Sequence, residues 1–165
     1  MKNLLFITIL FLPFALKSGN PPTPRQPQTE VSTRGDILKD IKNKKVSIFF
    51  NRIWDDAVYV SENYKIPIAL VLAQSAQETG FGTSKNCRNN NNYFGVRRCG
   101  KYEVYSCRFE SFVDYAAKVL GADCYKGCST LNDYFDRLEC CGYAADKLYT
   151  KRLKRIIEQY KLYLL

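Results

Sequence analysis

Apolar residues recur at helical spacing along most of the chain. Val46, Phe49, Phe50, Ile53, Ala57 and Val60 fall three or four apart, which lays one apolar stripe along a helix. Ile68 to Ala73 is apolar on every side, the pattern of a buried central helix, with Pro67 suited to its first turn and Gly80 to its C-cap. Phe112, Tyr115, Ala116, Val119 and Leu120 make another helical face, and Leu131, Tyr134, Phe135 and Leu138 a shorter one. A last helix from about Lys147 turns Tyr149, Leu153, Ile156, Ile157, Tyr160 and Leu164 inward and Lys151, Arg152, Lys154 and Arg155 outward. Residues 80–95, rich in Gly, Asn, Ser and Thr, read as a loop. Residues 96–109 read as a short hairpin, with strand-type residues on both sides of Gly100-Lys101. The fold class expected is mainly α (α+β): a helical domain with one short β-hairpin lobe.

The start of the chain has a different pattern. Met1-Lys2-Asn3 is a short positive opening, and Leu4 to Leu16 is apolar except for Thr8 and Pro13. That run is shorter than the ~20 residues a spanning helix needs, so residues 1–19 read as a signal peptide. If it stayed uncleaved, that segment would be the protein's one link to a membrane. Pro21, Pro22, Pro24 and Pro27 then mark residues 20–36 as an extended linker, leaving residues 37–165 as the folded domain. A secreted or periplasmic location follows, and in that oxidising space the 7 cysteines read first as disulfides. Cys99 and Cys107 bracket the hairpin, and Cys124, Cys128, Cys140 and Cys141 flank the short helix. The spacings lack paired CxxC knuckles, so neither a metal site nor any cofactor is expected.

Composition narrows the chemistry. The chain has no histidine, which excludes Ser-His-Asp and Cys-His hydrolases and HExxH metallopeptidases. Acid–base work must then fall to carboxylates, tyrosine, lysine or cysteine. Glu78 is the outstanding carboxylate, because it lies in the last turn of the most apolar helix. Burial and the negative end of the helix dipole both disfavour its charged form, as a proton donor near neutral pH requires.

Three segments around this glutamate resemble the peptidoglycan-cleaving β-N-acetylglucosaminidases of glycoside hydrolase family 73, within the lysozyme-like superfamily. Residues 66–84, IPIALVLAQSAQETGFGTS, are similar to the family's helix and catalytic-glutamate segment. Residues 91–96, NNYFGV, resemble its NNLFGI turn. Residues 142–149, GYAADKLY, resemble its GYATDPxY segment. A weaker likeness runs from Phe109 to Leu120. The resemblance implies a lysozyme-like helical domain in which Glu78 is the general acid and Tyr143 lines the cleft to position sugar or water. It implies Gln77, Asn92, Tyr93 and Tyr149 as candidate substrate-binding residues, and places a second acid on the β lobe, where Glu103 is the best candidate. The retaining or inverting outcome depends on the separation of the two carboxylates.

The implied partner is the glycan strand of peptidoglycan, cut at its β-1,4 bonds by a monomer. The formal charge of +9 suits anionic wall polymers. Nucleic acid is not expected as a partner, since the basic run over Lys151 to Arg155 reads as the solvated face of an amphipathic helix. Two alternatives are a lytic transglycosylase acting on the same polymer and a wall-binding module without chemistry.

Overall fold

A computed structural model describes residues 33–165. The apolar run of residues 4–16 and most of the proline-rich segment lie outside the described residues, as does the side chain of Val119.

The first helix, α1 (Arg34–Asp40), begins inside the segment that composition assigned to the linker. Thr33 and Asp36 form a reciprocal capping box that satisfies the first backbone donors, and Ile37 and Ile41 enter the core, so the helix can start before the apolar periodicity does. Next come α2 (Lys44–Tyr64), whose expected stripe is buried, and α3 (Ile68–Thr79). Ala69 to Ala76 of α3 are all buried, because α2 packs on one side of the helix and α7 (Tyr149–Gln159) on another.

The loop expected over residues 80–95 contains a short helix, α4 (Lys85–Asn90), capped by the Ser84 hydroxyl and anchored by buried Cys87. The hairpin is two residues long on each side, β1 (Arg97–Arg98) against β2 (Lys101–Tyr102), with Arg97 opposite Tyr102. Cys99 and Gly100 both have positive φ, the geometry of a two-residue type I′ turn. Helix α5 (Arg108–Asp114) runs on into a π-helical turn over Tyr115–Val119, and α6 (Leu131–Cys140) follows. Buried Asp56 on α2 pairs with Arg108, tying α5 to the long helix.

A disulfide joins Cys124 to Cys141. Cys99 and Cys107, expected to bridge the hairpin, are exposed free thiols: Cys99 sits at the tip of the tight turn, while Cys107 starts α5. Cys87, Cys128 and Cys140 are also free.

Candidate active site

Glu78 stands in the last turn of α3 on a rigid stop. Gly80, Phe81 and Gly82 are all left-handed, at φ of 56°, 56° and 79°. Phe81 tolerates that backbone because its ring is gripped by Phe49, Phe50 and Tyr160, with centroids 5.7–5.9 Å away. The Thr79 hydroxyl donates to the Ser75 carbonyl at 2.6 Å and accepts from Gly82 N–H at 2.8 Å, which closes the turn. A Cβ on Gly82 would lie 2.9 Å from the Phe49 ring, so glycine is required there for space as well as for conformation.

The carboxylate of Glu78 is half-buried, and burial raises its pKa above the ordinary glutamate value. Hydrogen bonding from the Tyr149 hydroxyl and the nearby positive charge of Arg152 pull the other way without cancelling the effect. Tyr149 is buried at the start of α7, and its hydroxyl accepts from Gln74 Nε2 at 3.3 Å. The Gln74 carbonyl oxygen in turn accepts from the hydroxyl of fully buried Tyr115. Tyr143, in the loop after α6, lies with its ring centroid 5.3 Å from that of Tyr149. Burial raises the pKa of the Tyr143, Tyr149 and Tyr115 hydroxyls, and the Glu78 charge adds to the rise in each, so all three are neutral donors. The structure brings Glu78, Tyr143 and Tyr149 together from three separate stretches of chain; Tyr149, expected among the substrate-binding residues, is buried, and its hydroxyl is taken up by Gln74 and Glu78.

Other expected site residues are placed elsewhere. Asn92 is buried, and its amide is fully used: Nδ2 donates to the carbonyls of Val96 and Glu103 at 2.9 and 3.0 Å, and Oδ1 accepts from Val96 N–H at 3.0 Å. It fastens the hairpin to its preceding turn and has no group left for a sugar. Tyr93 is also buried; its ring packs with Phe49 and Phe112 and its hydroxyl is hydrogen-bonded with the Cys87 thiol, so no face is free for stacking. Glu103 is half-exposed on the hairpin, 3.6 Å from Arg98, in a groove shared with Tyr105, Asp114 and Lys118. Asp114 accepts from Arg98 and the Tyr105 hydroxyl, both at 2.7 Å. Gln77 is half-buried beside Glu78.

Three contributors escaped the sequence reading. Gly95, at φ +64°, faces the carboxylate: a Cβ there would stand 3.1 Å from Glu78 Oε2. Gln74 could have been found as the one amide in the apolar run, exactly one turn before Glu78 and therefore on the same face. Arg152, read as an outward charge, is only 33% exposed and is drawn in by Asp146, with Nη2 and Oδ2 at 2.6 Å. Among the described residues, no group of three or more Cys, Asp or Glu side chains is arranged to hold a metal ion.

This fold and this glutamate-centred site define a lysozyme-like domain. Residues 54–162 match the glucosaminidase family model, described as mannosyl-glycoprotein endo-beta-N-acetylglucosaminidase, and the chain belongs to that family, glycoside hydrolase family 73. It is 27% identical over 166 residues to the peptidoglycan hydrolase FlgJ of Salmonella typhimurium, an alignment covering 82% of this chain and 51% of FlgJ. The chain therefore spans about half the length of the curated relatives it matches. The solved glycoside hydrolase domain of that FlgJ superposes with a TM-score of 0.59 at 28% identity, covering 70% of this chain and 88% of the domain. The catalytic domain of the autolysin Auto from Listeria monocytogenes shares the fold, with a TM-score of 0.63 at 22% identity over 78% of this chain and 93% of that one.

Proposed function

We propose that the protein is a secreted or periplasmic peptidoglycan hydrolase that cuts β-1,4 bonds of the glycan strand as an endo-β-N-acetylglucosaminidase, with Glu78 as general acid. The observation that carries this reading is the state of Glu78: a half-buried carboxyl with a raised pKa, ringed by neutral tyrosine hydroxyls. Such a group retains its proton at a pH where surface glutamates have lost theirs, and can pass it to the departing glycosidic oxygen. Membership of the glucosaminidase family and the likeness to FlgJ support peptidoglycan as the substrate.

Tyr149 orients the carboxyl from within the core, and Tyr143, packed on Tyr149, is the hydroxyl assigned to hold a water or the sugar beside it. Gln77 is the adjacent amide for a sugar hydroxyl. With Glu103 engaged by Arg98, the reaction at the anomeric carbon falls to a water held by Tyr143 or to the acetamido oxygen of the substrate. Glu78, once ionised, then serves as the base that takes the proton of the attacking water.

The test digests purified sacculi with wild type, Glu78→Gln and Glu103→Gln, and identifies the released ends by mass spectrometry. Reducing N-acetylglucosamine ends from wild type and from Glu103→Gln, with none from Glu78→Gln, are expected. Anhydro-muramyl ends would make the protein a lytic transglycosylase, and release by Glu78→Gln at the wild-type rate would remove Glu78 from the chemistry. A folded wild type that binds sacculi and releases nothing would make it a binding module.

A further inference from the structure

We propose that the solvent face of α7 is a docking surface for the anionic wall: it grips peptidoglycan through the free carboxylates of the stem peptides, away from Glu78. The proposal rests on the reading of peptidoglycan as the substrate and adds a second place where the protein holds it.

Charge is concentrated on this one element. Residues 33–165 carry 22 basic and 15 acidic side chains, a net charge of +7. Residues 147–161 hold six of those cations and a single acid, Glu158, a net charge of +5. The rest of the domain, with 16 cations against 14 acids, is nearly neutral. Elsewhere many cations are paired: Arg34 with Asp55, Arg108 with Asp56, and both Arg98 and Lys118 with Asp114. Around α7, Arg152 is taken by Asp146 and Lys161 by Asp40. Lys147, Lys151, Lys154 and Arg155 are exposed and make no ion pair among the described residues.

This placement runs against the stability of the helix. Lys151, Arg152, Lys154 and Arg155 crowd the first half of α7, where the helix dipole is already positive. The first turn has no acid to offset them, and the last turn, where cations would stabilise, has none. Lys151 also repels Lys154 and Arg155, three and four residues on. The helix forms regardless because Tyr149, Leu153, Ile156 and Ile157 are buried and α7 packs on α3. A local rule broken on the solvent side of a well-packed helix marks a surface kept for binding.

The two sides of α7 have separate tasks. Tyr149, on the buried side, reaches Glu78, while the cations face water, so a polyanion held there leaves the reacting group free. Helix α3 ends one residue beyond Glu78 and packs on α7, so wall gripped by one helix is kept close to the carboxyl of the other. Exposed cations spread along a helix suit carboxylates that recur along a polymer, and not a single small anion. Stem peptides put such carboxylates on the strand that Glu78 must meet.

The experiment measures co-sedimentation with purified sacculi stripped of phosphate polymers, on ice, with full-length Glu78→Gln as the parent so that binding is read without digestion. Adding Lys151→Gln, Lys154→Gln and Arg155→Gln together is expected to weaken binding roughly tenfold. With Glu78 restored, the same three changes should leave cleavage of short soluble glycan fragments at the wild-type rate. Sacculi whose carboxyls are capped as amides should bind the parent as weakly as intact sacculi bind the triple variant. Lys44→Gln, Lys45→Gln and Lys85→Gln together remove equal charge elsewhere and should change binding by less than about twofold.

Unchanged binding by the α7 variant, or undiminished binding to amide-capped sacculi, would overturn the proposal. So would an equal loss in the control variant, which would make net charge the cause. Binding only to sacculi that keep their phosphate polymers would give the face to phosphate instead, and tighter α7-dependent binding to duplex DNA would give it to nucleic acid. If the triple variant does not fold, Lys151→Gln with Arg155→Gln is judged by the same criteria. The two readings fail separately: wild type that binds through α7 and releases nothing is not the hydrolase, whereas digestion by wild type with unchanged binding by the α7 variant removes only the docking surface.

Discussion

Gly95 lies against Glu78: a Cβ built on its left-handed backbone would come within 3.1 Å of Oε2. The turn after Asn92 therefore leaves the proton donor only the space of a glycine. Gly95→Ala should cost about 1 kcal/mol of stability, from the φ of an L-residue in the left-handed region. Its larger effect should be on rate, because a carboxyl displaced by a fraction of an ångström loses its aim; a fall of roughly tenfold to a hundredfold in sacculus digestion is expected. Comparing thermal melts with digestion rates checks it, and a rate loss no greater than the stability loss explains would reject it.

Glu78 should be a site of function held against stability. Its pKa in the fold is raised above the value of 4.5 taken for the free side chain. Well below that value the carboxyl is neutral both folded and unfolded, and nothing is lost. As pH rises past it, the unfolded chain ionises first and the penalty on the fold grows, levelling off and persisting once the pH exceeds the folded pKa. Glu78→Gln should accordingly melt higher than wild type at neutral pH, with the gap closing below about pH 4. A gap independent of pH would show that the gain has another source.

Tyr149→Phe removes a hydroxyl that favours the ionised form of Glu78 and accepts from Gln74. The midpoint of Glu78 should rise, carrying the alkaline limb of activity upward, while stability falls by about 1 kcal/mol as the buried Gln74 amide loses a partner. An activity profile superimposable on wild type would contradict this role.

Asn92→Ala should affect folding rather than substrate affinity. Three hydrogen bonds within a buried turn are lost, at a cost of about 2–4 kcal/mol, because the carbonyls and N–H left behind are shielded from water. Chemical denaturation measures the cost; KM measured at a temperature where the variant is folded should stay within about twofold, a shift below 0.5 kcal/mol. A large rise in KM would return Asn92 to the substrate.

The Cys124–Cys141 disulfide closes a loop of sequence separation 17 and ends one residue before the Gly142-Tyr143 step. Cys124→Ser should lower stability by about 3 kcal/mol on loop-closure grounds and slow digestion by loosening the Tyr143 loop. If melting falls and digestion measured at low temperature does not, Tyr143 is held by its packing on Tyr149 alone.

Most of the helices were legible because burial on one side leaves a periodic mark, and α2 and α7 carry it plainly. The exceptions had local causes. Helix α1 depends on a capping box ahead of its two buried isoleucines, and α4 is a single capped turn inside a polar segment where only Cys87 is buried. The site was legible as far as motif order went, since Glu78 and Tyr143 lie in segments whose residue types are unusual for their positions. Asn92 and Tyr93 were misplaced because a polar or aromatic side chain near a cleft motif looks the same in sequence whether it faces sugar or core.

What the sequence determined by itself was the chemistry available: no imidazole, one carboxyl at the end of an apolar helix, and a turn that stops the helix just beyond it. Side-chain type and spacing suffice for that, because they set propensity, burial and charge along one helix. Only the tertiary structure decided which groups meet that carboxyl. Tyr115, Tyr143, Tyr149 and Arg152 come from stretches 37 to 74 residues away, read off their numbers and that of Glu78. Packing of α3 against α7 and of the π-helical turn against Gln74 brings them there, and the resulting exclusion of water gives a common glutamate its raised pKa.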